Sequence, residues 1–597
     1  MMTPQEIYTQ HLLKLNAQQA VLNKRKLVFG WLRLLIMGFV FVSLWWMWTS
    51  AGFIALPLPV LFLGLFLFVL SKDLNNNDAI ENLERLAAIT ETEIEVLNHR
   101  FQHLPEGNEY KPETHDYAKD MDIFGRASLF QYINRCTTEQ GNKLLAEWLL
   151  KPSNAEAIIQ KQKAVKELAP QLEWRQQLQS FGKSQRISIA TERKIEQWVH
   201  QPAVFISNRY WQLLRFLLPS ISFVFLGLHL AGIMEASFFY PLIAMMLTVS
   251  FGISKRVMPF YLQLDKIAPQ LESLSAGIRW IEKADFKTEL LITLKNKYTD
   301  GRIPTSQSVK NLKKILDRLD IRLNPLVFLP LNTFLFWDLQ QVFALEKWKK
   351  RNEEHIGDWF QALAEIESLS SLGNLSFNHP HWVFPAITSQ PGVFLAESLG
   401  HPLIPADKLV SNSFATEATG RLNLITGSNM AGKSTFLRAV GVNTVLAMMG
   451  APVCASALSV SHTKLMSSMR VSDNLEENTS TFYAELKKLK EVIEEVYKNQ
   501  SVFLLLDEIL RGTNSADRQA GSKALIKQLI HHNAAGLIAT HDLELAKLAD
   551  TFPGKIHNYH FDVQVADDEL YFDYKLKKGV CRSMNASLLM KKIGIEL

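Results

Sequence analysis

Residues 422–438 read LNLITGSNMAGKSTFLR. An apolar run closes at Thr426, then come Gly427, four further residues, Gly432, Lys433 and Ser434, and a helix-forming segment follows. A strand, a glycine-rich turn and a helix N-terminus in that order make a phosphate loop. The glycines let backbone N–H groups turn inward around an anion, the lysine reaches the outer phosphates, and the hydroxyl can hold Mg²⁺. Gly427, Ser428, Asn429, Met430, Ala431, Gly432, Lys433, Ser434 and Thr435 are therefore the candidate contacts to ATP, with Ser434 also a candidate metal ligand. A glycine-rich turn that binds nothing would not require the Lys433-Ser434 pair, nor the acidic strand found downstream.

That strand is Ser501–Leu506, closed by Asp507 and Glu508. A continuous apolar run marks a parallel strand buried on both faces, and carboxylates at its C-terminal tip face the crevice where open α/β sheets bind ligands. Asp507 would complete the Mg²⁺ shell, and Glu508 would orient an attacking water. A further run, Gly536–Ala539, ends in Thr540 and His541. A lone imidazole there would be an ordinary loop residue; beside the other motifs it reads as a γ-phosphate sensor.

At 597 residues the chain is too long for one core. A net charge of +5 permits nucleic acid or anionic lipid as partner and requires neither. Cys136, Cys454 and Cys581 are far apart, without CxxC spacing, which excludes a disulfide framework and a thiolate metal site and points to reduced thiols.

The front of the chain carries a membrane signal. Leu27–Trp48 and Gly52–Leu70 are almost wholly apolar, and two such runs joined by a tight turn make a transmembrane hairpin. A cleaved signal peptide is the competing reading, against which stand the length of the run, the lack of a small-x-small site and the second run that follows. Arg33 is expected to snorkel as an interface anchor. A second hairpin spans Leu213–Gly232 and Phe238–Ile253, for which a pair of buried soluble helices is the alternative. Lys24, Arg25, Lys26, Lys72, Arg209, Lys255 and Arg256 flank the spans on one side, whereas the turns near Ser50 and Glu235 carry no Lys or Arg. Both termini are thus expected in the cytoplasm, the chain being a multi-pass protein of the cell (inner) membrane.

Between and after the hairpins the pattern is helical. Asp78 with Glu81 resembles a capping box that opens a helix just beyond the membrane, after a short linker at Asn75–Asn77. Residues 116–200 read as helices broken at Pro152 and Pro170, and 260–370 as long amphipathic helices interrupted at Asn324-Pro325.

The segment TGSNMAGKSTFLRAVG resembles the P-loop of the MutS family of mismatch-repair ATPases. Ser480-Thr481-Phe482 within NTSTFYAEL is similar to that family's signature segment, Asp507–Thr513 to its Walker B and following loop, Ala539-Thr540-His541 to its histidine switch, and Asn558-Tyr559-His560 to its terminal strand. CTTEQGNKLLAEWLLKP, Cys136–Pro152, looks like the start of the family's helical core, and RLNPLVFLPLNTFLFWDL, Arg322–Leu339, like its later lever helices. The resemblance covers 115–200 and 300–590. It implies ATP with Mg²⁺, Lys433 and Ser434 on phosphate and metal, Asp507 on metal, Glu508 on water and His541 on the γ-phosphate. It also implies a homodimer in which Ser480 acts in trans on the partner's nucleotide.

The departures are equally specific. No segment resembles the family's mismatch-reading or connector domain, the helical tail that many relatives use to dimerise is not found before Leu597, and Ala431 and Leu510 stand where the family has glycines. The expected fold class is an α/β P-loop NTPase domain of the MutS type, C-terminal to an all-α core and lever domain, with two transmembrane hairpins. Its expected division is a cytoplasmic segment 1–26, hairpin 27–70, juxtamembrane helix and linker 71–115, helical core 116–212, hairpin 213–253, lever and core 254–380, and ATPase domain 381–597. The expected function is a membrane-anchored, dimeric MutS-like ATPase that moves helical arms and has DNA as a partner. The alternatives are a mechanical or scaffolding ATPase without DNA and, against the STFYAEL and DEILRGT motifs, an ABC-type transporter.

Overall fold

The computed structural model describes residues 2–581 apart from 265, 300, 302, 429–430, 470–480, 499–500 and 567–568. An antiparallel pair, α1 (Pro4–Trp46) and α2 (Pro57–Leu97), precedes α3 (Leu129–Ile133), α4 (Glu139–Leu150), α5 (Ala155–Leu168), α6 (Leu172–Ser184) and α7 (Ile189–Val199). A second pair, α8 (Arg209–Leu230) and α9 (Ala236–Gln263), leads into α10 (Ala268–Lys283), α11 (Glu289–Thr299), α12 (Thr305–Leu319), α13 (Pro325–Leu335), α14 (Trp337–Asn352) and α15 (Ile356–Asn378). The chain then turns α/β, through β1 (Ala386–Thr388), β2 (Val393–Leu399), β3 (Asn412–Glu417), β4 (Leu422–Thr426), α16 (Lys433–Met449), β5 (Ala457–Ser461) and β6 (Lys464–Ser468). It closes with α17 (Thr481–Lys498), β7 (Val502–Asp507), α18 (Ser515–His531), β8 (Ala535–Thr540), α19 (Leu543–Ala546), α20 (Leu548–Thr551), β9 (Ile556–Ala566) and β10 (Glu569–Lys578).

Six strands form the main sheet in the order β10-β9-β4-β8-β7-β6, parallel throughout except for the edge pair β9-β10. Every residue of β4, β7 and β8 is buried, because helices cover both faces. Successive residues divide between two cores: Phe503 and Leu505 join the core that includes α16 and the helical body, and Leu504 and Leu506 join the one formed with α17 and α18. A smaller four-stranded sheet, β1-β5-β2-β3, lies at the start of this domain.

Buried polar groups tie the helical body together. Glu93 on α2 pairs with Arg135 and accepts from Asn374 and Asn378 of α15 at 2.8 and 3.0 Å, while the Tyr8 hydroxyl of α1 donates to Asn378 at 2.8 Å. Glu367, also on α15, accepts from the hydroxyls of Thr137 and Thr138, the latter at 2.5 Å and itself the N-cap of α4. Such groups are costly to bury unless fully partnered, so these contacts lock α1, α2 and α4 to one helix. That helix, α15, is the last before β1 in the chain.

Several expectations need correction. Asp78 and Asn75–Asn77 open nothing: they lie inside α2, which continues unbroken from its apolar half into the helical body. The partner helix supplies the reason, since the Asn76 amide donates to the Leu22 carbonyl of α1 at 3.1 Å and so satisfies a polar side chain that would otherwise favour a turn. The first apolar run likewise belongs to a helix that begins at Pro4, capped by a reciprocal Thr3–Glu6 box. The second run opens on a 3₁₀ turn, Gly52–Ala55, and its helix, α2, begins at Pro57. Arg33 is more than an interface anchor, for it forms a 3.0 Å ion pair with buried Asp73 across the hairpin. Helix does not fill 116–128, which is a chain of turns up to Ser128, the N-cap of α3. Lastly, Arg322–Leu339, which resembles lever helices, holds the short α13, packed on α8 and α9, and the start of α14, with the expected interruption at Asn324-Pro325.

Among the described residues, four helices, α1, α2, α8 and α9, are long and apolar enough to cross a membrane by length and composition. Many of their large apolar side chains, among them Trp31, Leu61, Phe216 and Phe238, face outward.

Candidate functional site

The parallel registers bring three strand tips to one edge. Thr426 of β4 lies beside Thr540 of β8, and Asp507 of β7 beside Ala539. The glycine-rich turn leaves β4 at that same edge. Gly427 has φ 147°, and a Cβ on it would meet the Phe561 carbonyl oxygen at 2.8 Å; Gly432 has φ 102° and opens α16. Asn429 and Met430 lie outside the described residues.

Lys433 is buried, its ammonium donating to the Gly427 and Ser428 carbonyls at 2.6 and 2.8 Å. Burial lowers its pKa, opposed by the nearby charges of Glu508 and Asp507. One residue on, the Ser434 hydroxyl donates to Asp507 Oδ2 at 2.5 Å. Asp507 Oδ1 is buried without a hydrogen-bond partner, and burial raises the pKa of this carboxyl. A hydroxyl and a half-satisfied carboxylate side by side are the hard oxygen donors that Mg²⁺ takes, so the residues present fit that ion.

Glu508 is held in a left-handed backbone conformation, φ 49°, with its N–H on the Ala539 carbonyl at 2.9 Å. Its carboxylate lies 3.2 Å from Arg511 Nε and 3.6 Å from His541 Nδ1. Strain of this kind costs about 1–3 kcal/mol and persists where surrounding contacts over-determine it. The contacts here are visible: Glu485 of α17 accepts from the N–H groups of both Leu510 and Arg511, the second at 3.2 Å, and Leu510 is itself left-handed at φ 62°.

A cavity of about 690 Å³ opens over these groups, lined in part by Ser428, Gly432, Lys433, Ser434, Thr435, Glu508, Arg511, Phe561 and Tyr574. Its size and mixed lining suit a small organic ligand with an anionic end. Gly427 and Ala431 belong to the turn beside it, where the Ala431 N–H donates to the Ser428 carbonyl at 3.3 Å. Ser480 lies outside the described residues.

Three participants escape sequence reasoning. Arg511 and Glu485 sit inside the DEILRGT and STFYAEL strings, yet nothing in either string says that one pairs with Glu508 or that the other grips the loop after it. Tyr574 comes from a bulge in β10 that Asn412 pins, accepting from the Leu576 N–H at 2.8 Å and donating to the Tyr574 carbonyl at 3.0 Å.

A helical body followed by a C-terminal α/β sheet domain, with this edge as its site, has the architecture of the MutS proteins. Residues 112–197 match the family model of MutS domain III and residues 423–591 that of MutS domain V, which supports membership of the MutS family. It is 32% identical over 225 residues to the DNA mismatch repair protein MutS of Lawsonia intracellularis, covering 36% of this chain and 25% of that one. It is 34% identical over 228 residues to the protein of the same name in Protochlamydia amoebophila, covering 37% and 26%, and 31% identical over 253 residues to human MutS protein homolog 4, covering 40% and 26%. The match thus spans about a quarter of the length of these relatives.

Proposed function

We propose that this protein is a membrane-anchored ATPase of the MutS family, which binds and hydrolyses ATP with Mg²⁺ in a site shared by two copies and uses it to move helical arms that hold DNA. The observation that carries the reading is the pairing of Ser434 with a half-satisfied Asp507 at a strand tip, next to Glu508 and His541. Lys433 would leave the loop carbonyls for phosphate oxygens, and Ser434 with Asp507 would hold Mg²⁺, which supplies charge neutralisation on the phosphates. Glu508 would position the water, its carboxylate steadied by Arg511 and His541. Ser480 of one copy would close the partner's site.

Membrane anchoring is supported by the outward apolar faces of α1, α2, α8 and α9, and the flanking Lys and Arg residues favour a cytoplasmic ATPase. DNA is supported by a groove of about 750 Å³ between α12 and α14, lined by Lys314, Arg318, Lys347 and Arg351 and by no carboxylate among the described residues. Four phosphate contacts there would lower DNA affinity about 100-fold between 50 and 200 mM salt.

The test is ATP turnover by the detergent-solubilised full chain. Lys433→Ala should lose nucleotide binding, and Glu508→Gln should bind ATP but turn it over orders of magnitude more slowly. Mixing Lys433→Ala with Ser480→Ala protomers should restore one composite site per heterodimer. Equal turnover in Glu508→Gln and the unaltered protein would refute the active-site assignment. Salt-independent DNA binding would rule out this groove as the contact, and no binding would remove DNA and leave an ATPase that works on the membrane alone.

A further inference from the structure

Residues 323–337, LNPLVFLPLNTFLFW, contain no charged side chain, and α13 within them is eleven residues long. At 1.5 Å per residue it extends about 16 Å, roughly half of a 30 Å hydrocarbon layer, so it cannot cross a bilayer. Its faces are reversed relative to a helix that meets water. Leu326 is 87% exposed and Leu323 just before the helix 76%, with Val327 and Leu329 also outward, while Asn332 and Thr333 are buried.

The buried polar side faces the second apolar pair. The Asn332 amide donates to Ser254 Oγ at 2.9 Å and to Ser250 Oγ at 3.3 Å on α9, and Ser222 Oγ of α8 donates to the Thr333 carbonyl at 3.2 Å. The Phe334 ring lies 6.1 Å from that of Phe223. Ser222 is near the middle of α8, whereas Ser250 and Ser254 lie where the apolar run of α9 gives way to Lys255 and Arg256, so α13 reaches into the apolar zone from the side those charges flank. Its outward leucines continue the apolar exterior formed by Phe216 and Phe223 of α8 and Phe251 of α9. The two ends of the segment return to one place: Arg322 and Asp338 form a 2.7 Å ion pair that closes its base, and the side-chain Oδ1 of Asn332 accepts from the Asp338 N–H at 3.3 Å.

We propose that α13 is a re-entrant half-span that enters and leaves the bilayer from the same side, its outward face covered by lipid acyl chains. Polar groups turned to protein and large apolar groups turned outward are what a hydrocarbon solvent selects. Because α12 ends and α14 begins at the closed base, both arms are rooted in the membrane, and a movement of either must displace α13 against α8 and α9. This rests on the reading that α8 and α9 cross a bilayer.

The full chain, with its three cysteines replaced by serine, is reconstituted in vesicles of phosphatidylcholine and phosphatidylglycerol. Single cysteines at Leu326, Val327, Phe223, Phe251 and Lys347 then carry spin labels, whose relaxation by oxygen and by a water-soluble nickel chelate is measured. The expected result is that positions 326 and 327 follow 223 and 251, relaxed by oxygen and shielded from nickel, while 347 shows the opposite. Nickel access at 326 and 327 with lipid behaviour at 223 and 251 overturns the half-span and leaves the two crossing helices intact. Shielding of 326 and 327 from both agents means that protein covers the face, which also overturns it. Nickel access at 223 and 251 sinks the half-span together with the reading beneath it.

Discussion

Replacing Glu485 by alanine removes the acceptor that holds the N–H groups of Leu510 and Arg511. Glu485 is buried, and burial raises the pKa of its carboxyl in spite of those two donors, so the bonds it makes are little screened by water. Hydrogen bonds to a charged group contribute about 1.5–3 kcal/mol each, and the longer Arg511 contact belongs at the low end. A combined loss of about 3–4.5 kcal/mol is expected, which at 1.4 kcal/mol per decade is about 140- to 1600-fold in the local opening equilibrium. Hydrogen exchange of a peptide covering 508–514 reads this directly and needs no activity. Its amides should exchange faster by that factor in Glu485→Ala and by an intermediate factor in Glu485→Gln, which keeps one acceptor oxygen. Since this loop carries Glu508, ATP turnover should fall as well. Unaltered exchange at 508–514 in Glu485→Ala would refute the claim that this side chain holds the strained backbone.

Asp507→Asn should raise the melting temperature of the nucleotide-free protein at neutral pH, since the folded carboxyl has a raised pKa and its charged form loses stability as pH rises, yet Mg²⁺-dependent ATP binding should vanish; a lower melting temperature would contradict this. A Cβ on Gly512 would lie 2.6 Å from Phe482 Cβ and 3.0 Å from its Cα, so Gly512→Ala should cost about 1–3 kcal/mol and loosen the start of α17 in hydrogen exchange, whereas Gly64→Ala, which meets open space, should not. Burial lowers the pKa of His379, between Tyr132 and Trp382, to about 4. The unfolded chain therefore takes up a proton below pH 6.5 that the folded one refuses, and about 3 kcal/mol is lost as pH falls from 6.5 toward 4. His379→Gln should flatten the acid limb of a stability–pH curve in that window, and an unchanged limb would assign the acid sensitivity elsewhere.

The strands β4, β7 and β8 were legible because a run buried on both faces leaves an uninterrupted apolar string, and the carboxylates at the end of one such string stand out against it. That Ser434 and Asp507 should meet follows from parallel strands sharing one edge. The role of Glu485 was not legible: its partners are backbone N–H groups, which every residue but proline carries, so nothing in the sequence marks them. Asp78 and Glu81 misled for a related reason, since cap-forming residues also occur inside helices when a neighbour satisfies them, as α1 does for Asn76. The stretch 323–337 shows its apolarity plainly, but only the buried Asn332 and Thr333 reveal which way the helix faces.

The unbroken passage of α1 and α2 from apolar segment to helical body has a consequence for how the two parts are oriented. Each residue of an α-helix turns the chain by about 100°, so with no joint between the halves, the azimuth of the outer half is set by contacts such as Tyr8–Asn378 and Glu93–Arg135 far down the same rods. A single residue inserted into α2 between Asp73 and Glu93 would turn one half against the other by that angle. It would pull Asp73 away from Arg33 or Glu93 from Arg135, although no contact at either place had itself been altered. The hairpin thus behaves as a keyed shaft, in which helical phase is conserved along the whole length and a change at one end is felt as torsion at the other.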